Sequence, residues 1–337
     1  MKVLTSFLPL LPVFLVAASS AFAKSPFEYV WGTAHHVLPE THSDESGYFS
    51  LCEGNDGRIY VGTAKYGENA YLVEFDPVTG KQRIVVDAHK VCGLNAKGFA
   101  AQAKFHTRNY VGPSGVIYAG TKQGYAKKGD TSEYPGGYLI TYDPRNDTAR
   151  NLGMPYKKQG IADVVADESR GLVYVVTCED QHWMLYDFAT KKFTELGPML
   201  TRYATTLMDA EGKAHTLTKD FQLATYDPAT KKVTQRPIEI GGKPFLRENR
   251  SAIPTWNLDP DGRTAWLILM NDAHLLSIDL FSKGKKANGV NHGLMLKGER
   301  PDSRSALTIA PDGQIYTLIS VQNTTGFGKG KLHPLCR

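Results

Sequence analysis

The sequence repeats one short frame along most of its length, and this repetition restricts the fold more than any other feature. A turn ending in glycine is followed by an aromatic residue or histidine, usually three residues later, in the pairs Gly57/Tyr60, Gly115/Tyr118, Gly171/Tyr174, Gly212/His215, Gly262/Trp266 and Gly313/Tyr316. A hydrophobic residue and an aspartate then close a third strand at Phe75-Asp76, Tyr142-Asp143, Tyr186-Asp187, Tyr226-Asp227 and Ile278-Asp279. Repeats of about 40 to 60 residues, each of four short strands, predict an all-β fold, the β-propeller of four-stranded antiparallel blades.

The clearest unit runs from Ala101 to Gly153. Alternation of apolar and polar residues predicts strands at 104–111, 116–121, 137–142 and 148–153. Pro, Asp, Asn and Gly occupy the turns between the first and second strands and between the third and fourth. This segment therefore predicts one complete antiparallel meander.

The other units predicted from the frame are 48–88, 160–200, 203–240, 252–296 and 303 onward. The last unit lacks the closing hydrophobic-aspartate turn and a fourth strand. Five full units, one partial unit and an N-terminal segment fit seven blades with an incomplete last blade, with six as the alternative. Because each unit buries its faces only against its neighbours, we expect one domain over 24–337, and an N-terminal strand that completes the last blade.

The N-terminus has the features of a signal peptide. Lys2 precedes an apolar run from Val3 to Ala18, and Ala21-Phe22-Ala23 has the form of a cleavage site. We predict a signal peptide over 1–23, a secreted or periplasmic location and no membrane span, because the apolar run is short. Four cysteines in such a compartment allow three disulfide pairings, and four free thiols are equally compatible with the sequence.

Blade geometry selects candidate site residues. The first strand of each blade lines the central channel, and the loop after the second strand opens on the face where the first strand begins. This face predicts His106, Tyr203 and Tyr125 for catalysis and Arg304, Arg202, Lys122, Lys219, Trp256 and His182 for substrate binding. Lys104 and Arg108 flank His106 on one side of the strand, which disfavours its protonated form and suits a general base. The alternatives are a hydrogen-bonded core histidine and solvated loop charges.

Other classes of function find little support. A formal charge of +5 without a dense basic stripe argues against nucleic acid as a partner. The sequence contains no GxSxG, HExxH or GxxxxGK[ST] motif. We predict no metal site or cofactor; calcium is the one ion left open, through the carboxylates at Asp163, Asp167, Glu168, Glu179 and Asp180, which lack EF-hand spacing.

Three segments resemble a known group of proteins: KFHTRNYVGPSGVIYAGTKQGY, YPGGYLITYDP and GIADVVADESRGLVYVVT. They resemble secreted seven-bladed propellers that act on uronic-acid-containing glycans, a group that includes ulvan lyases, rhamnosyl-glucuronate lyases and a related rhamnosidase family. The resemblance implies that His106 exchanges protons with the sugar and that Arg304 and Arg202 neutralise the uronate carboxylate. Tyr138 and Lys122 stand where these lyases tend to have histidine.

The sequence thus predicts an exported, monomeric propeller that acts on an acidic oligo- or polysaccharide by β-elimination. Such a reaction needs a neutralised carboxylate, a base for the C5 proton and an acid for the leaving oxygen. Arginine, His106 and Tyr203 or Tyr125 fill these roles. A non-catalytic binding or scaffold propeller and a calcium-dependent lactonase-type hydrolase are the alternatives.

Overall fold

The computed structural model describes residues 32–41, 43–45, 49–245, 254–270, 273–296, 302–303, 307–324 and 330–337. Internal contacts divide the chain into two compact units, residues 1–36 and 37–337. Residues 32–36, the described part of the first unit, contain no helix or strand. The predicted signal peptide and residues 24–31 of the segment predicted to complete the last blade lie outside the described residues.

The first three groups of strands in the second unit are four-stranded antiparallel meanders. The first contains β1 (Leu51–Glu53), β2 (Ile59–Gly62), β3 (Tyr71–Phe75) and β4 (Gln82–Asp87), and is followed by α1 (Ala88–Cys92). The second contains β5 (Lys104–Phe105), β6 (Tyr110–Val111), β7 (Ile117–Lys122), β8 (Leu139–Asp143) and β9 (Thr148–Gly153), with β5 and β6 both paired to β7. The third contains β10 (Gly160–Asp167), β11 (Leu172–Cys178), β12 (Trp183–Asp187) and β13 (Lys192–Glu195).

The next two groups are joined edge to edge. The fourth contains β14 (Leu207–Met208), β15 (Ala214–Leu217), β16 (Gln222–Asp227), β17 (Lys232–Ile240) and β18 (Lys243–Pro244). The fifth contains β19 (Pro254–Leu258), β20 (Thr264–Leu269), β21 (His274–Asp279) and β22 (Ala287–Leu294). Their outer strands β17 and β22 pair in parallel, which links the two meanders into one sheet.

The sixth group is incomplete in the part of the chain that the structure describes. It contains β23 (Leu307–Ile309), β24 (Ile315–Leu318), β25 (Val321–Gln322), β26 (Lys331–Leu332) and β27 (Leu335–Cys336). β27 pairs with β24 as the third strand, whereas β25 and β26 form a separate hairpin. Two 3₁₀ turns, Pro39–Thr41 and Gly98–Ala100, complete the described elements.

The repeated frame has a direct structural cause. The frame glycines Gly57, Gly115, Gly171, Gly212, Gly262 and Gly313 all have φ between 64° and 87°, a left-handed conformation that glycine adopts without the steric cost of a Cβ. The closing aspartates accept hydrogen bonds from backbone N–H groups two or three residues ahead, as Asp76 does from Val78 and Thr79. Both features fix the tight turns between strands.

The hydrophobic core is divided into layers between consecutive meanders. Tyr60, Leu72 and Phe105 pack between the first and second, and Tyr174, Trp183 and Leu200 between the third and fourth. Further layers lie between the second and third, the fourth and fifth, and the fifth and sixth. Consecutive meanders therefore bury their facing surfaces against each other, as the repeat pattern predicts.

The inner strands of all six groups surround one cavity of about 970 Å³. Its walls include Leu51, Tyr110, Val164, Leu207, Leu258 and Leu307, one residue from the inner strand of each group. The cavity is the central channel predicted from the repeats.

One predicted strand is interrupted. The alternation over 104–111 predicts a continuous strand, but pairing with β7 stops after Phe105 and resumes at Tyr110. His106 N–H still donates to Gly120 O of β7 at 3.0 Å, and Arg108, two residues on, lies in the central cavity beside Asp163.

All four cysteines carry free thiols in the structure. Burial raises the pKa of the Cys52 and Cys92 thiols to about 12. In the described part of the chain, no helix is long and apolar enough to cross a membrane.

Candidate functional site

Two buried lysines face each other where the second meander begins. The register of β5 against β7 places Lys104 directly opposite Lys122. The two residues are only 2% and 6% exposed, respectively. Like charges directly opposite on neighbouring strands repel, and burial of a charge costs further free energy. Burial of Lys104 beside Lys122 costs free energy, and groups perturbed in this way cluster at functional sites.

Two tyrosines cover Lys104. Tyr66 follows β2 and Tyr125 follows β7; their rings meet edge to face with centroids 5.0 Å apart. Lys104 Nζ lies 4.9 Å from the centroid of Tyr66 and 5.6 Å from that of Tyr125. These contacts favour the ammonium form, but burial, and next the charge of Lys122, lowers the pKa of Lys104 from 10.5 to about 8. Near neutral pH this amine can therefore both carry charge and accept a proton.

Lys122 remains cationic because of an acidic partner. Its Nζ donates a hydrogen bond to Glu179 Oε1, in the loop after β11. Burial alone would lower the pKa of Lys122, but Cys178 and Glu179 together raise it above its ordinary value. The Lys122 side chain is 7% exposed and that of Glu179 is 61% exposed. The carboxylate therefore reaches the buried ammonium from the solvent side.

His106 lies beside two aromatic rings. Its centroid is 5.8 Å from that of Tyr203 and 6.0 Å from that of Phe49. Burial, followed by the charges of Lys104 and Lys122, lowers the pKa of His106 from 6.5 to about 3. The sequence predicted a neutral His106 held between cations; the cations responsible are Lys104 and Lys122, because Arg108 pairs with Asp163 instead.

Arg202 and Tyr203 form the remaining side of this region. The Arg202 guanidinium carbon lies 5.3 Å from the Tyr203 ring centroid. Tyr203 has a left-handed φ of 54°, and its backbone N–H donates to Gln181 Oε1 at 3.1 Å. Burial raises the pKa of Tyr203, so its hydroxyl holds its proton at neutral pH.

We call this set the mouth cluster. Its members are Phe49, Tyr66, Lys104, His106, Lys122, Tyr125, Glu179, Arg202 and Tyr203. His106, Tyr203, Tyr125, Lys122 and Arg202 were predicted for the site from the sequence, and the structure brings them together. Lys104 and Glu179 were not predicted as site residues from the sequence. Lys104 lies two residues before His106, on the same side of a strand, and this spacing is the sequence signal that could have assigned it to the site.

The other predicted site residues lie elsewhere. Trp256 is 1% exposed in the layer between the fourth and fifth meanders, and its indole N–H donates to Thr205 O at 3.1 Å, which is a core position rather than the predicted rim position. His182 stacks on Tyr156 and contacts Glu195 Oε1 on the outer strand β13 at 2.7 Å. Lys219 is an exposed loop residue, and its backbone N–H donates to Met199 O. Arg304 lies outside the described residues.

The carboxylates considered for calcium do not converge. Asp163 contacts Arg108, Asp167 contacts Arg170, Glu179 contacts Lys122, Glu168 accepts from Ser114, and Asp180 accepts from Gln159. Within the described ranges, no group of three or more His, Cys, Asp or Glu residues could hold a metal ion.

The neutral state of His106 makes stability pH-dependent. The pKa of His106 in the folded protein is about 3, below its ordinary value of 6.5. At pH values between these two, His106 is protonated in the unfolded chain and neutral in the folded chain. The free energy of unfolding should therefore fall as the pH decreases through this window. From pH 7 to 5 we expect His106 to account for a loss of about 2 kcal/mol.

Urea titrations of the wild type and His106→Gln at pH 7 and 5 measure this effect, because the other histidines are common to both proteins. The variant should lose about 2 kcal/mol less than the wild type over this interval. Equal losses in the two proteins would show that His106 protonates as an exposed histidine does.

Comparison with known proteins yields likeness in structure alone. No protein-family model matches the chain, and no curated protein matches it. The structure titled streptogramin B lyase superposes with a TM-score of 0.55 at 12% identity, over 84% of this chain and 80% of that chain. A structural-genomics protein from Lactobacillus plantarum superposes with a TM-score of 0.50 at 14% identity, over 83% of this chain and 81% of that one.

The fold is a β-propeller. The prediction of an all-β propeller with four-stranded antiparallel blades is confirmed by the meanders and by these neighbours. The predicted number of blades and the single domain over 24–337 stay predictions. Identities of 12% and 14% extend the likeness to the fold and no further.

Proposed function

We propose that the mouth cluster binds a glycan containing uronic acid and cleaves it by β-elimination. The observation that carries the proposal is the opposed pair Lys104 and Lys122, two buried amines on neighbouring strands. A bound carboxylate would relieve their mutual repulsion, so the site should prefer an anionic ligand. We also propose that the protein is exported and acts as a monomer.

In this proposal Lys122 and Arg202 bind the uronate carboxylate. Lys122 already holds a carboxylate, that of Glu179, so its ammonium is suited to an acidic group arriving from solvent. Arg202 is exposed beside Tyr203 and can pair with a carboxylate through two N–H groups. Neutralising the uronate carboxylate acidifies the proton on C5, which is the first requirement of elimination.

Lys104 is the better proton acceptor of the two buried bases. With a pKa of about 8, about a tenth of this amine is neutral at pH 7 and able to take a proton, and its protonated form is stable. His106, with a pKa of about 3, is neutral but a weak base, because burial, and next the charges of Lys104 and Lys122, oppose its protonation. In this scheme His106 positions Tyr203 through their ring contact.

The step balances without water or an oxidant. Lys104 takes the C5 proton, the C5–H electron pair forms the C4=C5 double bond, and the C4–O bond breaks. The Tyr203 hydroxyl donates its proton to the leaving oxygen, which the raised pKa of Tyr203 keeps available. Tyr125 is 68% exposed at the outer edge of the cluster, where its ring offers a stacking surface for a sugar.

One observation favours a second candidate, a propeller that binds acidic glycans without turnover. His106 is 1% exposed and Lys104 is 2% exposed, so both bases lie beneath the tyrosines rather than at the surface. A ligand held by Arg202 and Lys122 could remain out of their reach. One structural neighbour is titled a lyase. At 12% identity, this title supports a shared fold and does not decide between the two candidates.

The test incubates purified protein with a panel of 4-linked uronate polysaccharides and one neutral glucan, and follows the ultraviolet absorbance of the conjugated C4=C5 bond. Rising absorbance with an acidic glycan alone is the expected result. Binding without absorbance would establish the non-catalytic candidate. Absorbance abolished by EDTA would indicate a metal-dependent elimination. Cleavage that produces no absorbance and is abolished by EDTA would indicate the metal-dependent hydrolase, and absence of both binding and product would contradict the proposal.

A further inference from the structure

The central cavity is separate from the mouth cluster in its lining. In the described part of the chain, Phe49 is the one mouth cluster residue that lines the cavity. Its ring contacts Tyr203 and His106 on the other side, at centroid distances of 6.3 and 6.0 Å. The cavity volume of about 970 Å³ lies at the upper end of the range for small-molecule pockets.

One wall of the cavity carries hydrogen-bond donors. Arg108 donates through Nε to Asp163 Oδ1 at 3.3 Å, and through Nη1 to Asn257 Oδ1 at 3.2 Å and Trp256 O at 3.4 Å. Its Nη2 makes no hydrogen bond to the described part of the chain, and its side chain is 29% exposed. Asp163 thus uses one side of the guanidinium and leaves the other side for a ligand.

The adjacent residue supplies a second donor. Asn109 is 7% exposed and lines the same cavity. Its Oδ1 accepts from Ser50 Oγ at 2.9 Å, whereas its Nδ2 is buried and has no hydrogen-bond partner among the described residues. A buried amide without a partner costs free energy that an acceptor on a ligand would recover.

Much of the remaining lining is aliphatic. Leu51 from the first meander and Leu318 and Leu335 from the sixth line the cavity, and they are 61%, 47% and 55% exposed. Leu207, Met208 and Leu258 continue this lining around the channel. Single exposed leucines are ordinary, but several on the wall of one cavity form an apolar surface that a hydrocarbon chain could cover.

We infer that this cavity binds a monocarboxylate with an aliphatic chain. The carboxylate accepts hydrogen bonds from Arg108 Nη2 and Asn109 Nδ2, and the chain lies along the leucines. Charge-assisted hydrogen bonds to guanidinium are strong and directional, which favours a carboxylate over an alcohol of the same length. The inference is independent of the function proposed for the mouth cluster.

Calorimetric titration of the full-length protein with hexanoate, octanoate and decanoate tests the inference. Each added methylene should tighten the dissociation constant by about fourfold, the equivalent of about 0.8 kcal/mol. Octanol should bind at least about tenfold more weakly than octanoate. Octylammonium tests the alternative that Asp163 recruits a cation, and it should also bind more weakly.

Two variants locate the site. Arg108→Gln combined with Asp163→Asn removes both charges, so no buried charge is left unpaired, and octanoate should bind about ten- to hundredfold more weakly. Lys122→Gln removes a cation from the mouth cluster and should leave octanoate affinity within about twofold. Leu335→Asn changes an exposed position and should weaken decanoate about fourfold or more without affecting the fold.

Three results would overturn the inference: no saturable binding of decanoate, a dissociation constant independent of chain length, or an equal loss of octanoate affinity in Lys122→Gln. Tighter binding of octylammonium than of octanoate would assign the cavity to cations instead.

Discussion

Replacing Lys104 by methionine is expected to lower the rate of uronate elimination by about 10²- to 10⁴-fold. Methionine fills a similar volume but cannot take the C5 proton. Because burial lowers the pKa of Lys104 to about 8, the folded protein holds this ammonium at a cost. The free energy of unfolding at pH 7 should therefore stay the same or rise in the variant, since an apolar side chain replaces a buried charge. Absorbance kinetics and urea titration measure the two quantities.

Lys192→Met is the matched control. Lys192 is exposed on the outer strand β13, so the same substitution there should change both the rate and the free energy of unfolding very little. A Lys104→Met protein that loses stability and retains turnover would assign Lys104 a structural role and remove it from the reaction.

Truncating Trp256 to alanine is expected to lower the free energy of unfolding by about 3 to 5 kcal/mol. The side chain is among the largest fully buried ones and packs in the layer that contains Leu223, Leu267 and Leu276. Its loss leaves a cavity and removes the hydrogen bond to Thr205 O. Once corrected for the folded fraction, affinity for an acidic oligosaccharide should be unchanged.

Tyr125→Ala should behave in the opposite way. Tyr125 is 68% exposed, so its truncation should cost little stability but weaken the binding of an acidic oligosaccharide. If binding of the oligosaccharide is weakened in a folded Trp256→Ala protein and unchanged in Tyr125→Ala, Trp256 contacts the ligand, as the sequence predicted.

The fold was predictable because its determinants are local. The frame glycines and closing aspartates act within a few residues of their own turns, so their recurrence shows in the sequence as it does in the structure. The fourth strand of the second meander was predicted at its observed bounds, Thr148–Gly153. The continuity of the strand over 104–111 was wrong, because alternation does not reveal where pairing is interrupted. The third strand, predicted over 137–142, spans Leu139–Asp143.

The site was only partly predictable because its decisive contacts are long-range. The Lys104–Lys122 pair depends on strand register, and Lys122 meets Glu179 from another meander. The Arg108 guanidinium contacts Asp163 and Asn257, which are 55 and 149 positions away in the sequence. It therefore does not lie beside the His106 ring, although the two residues are close in sequence. Trp256 lies in the middle of the inner strand Pro254–Leu258 rather than at its start, and the sequence does not show which side chains of that strand turn into the core.

The most direct test of the central claim is the preference of the wild-type protein for an acidic ligand. Calorimetry with a 4-linked tetrauronate and a neutral tetrasaccharide of the same linkage should show at least about tenfold tighter binding of the acidic ligand at pH 6.5, the value of one charge-assisted hydrogen bond. Because Lys122 and Arg202 hold the carboxylate, this preference should persist as the pH rises through about 8, where Lys104 loses its proton. Equal affinities for the two ligands, or a preference that disappears as Lys104 loses its proton, would contradict the claim that Lys122 and Arg202 recognise a carboxylate.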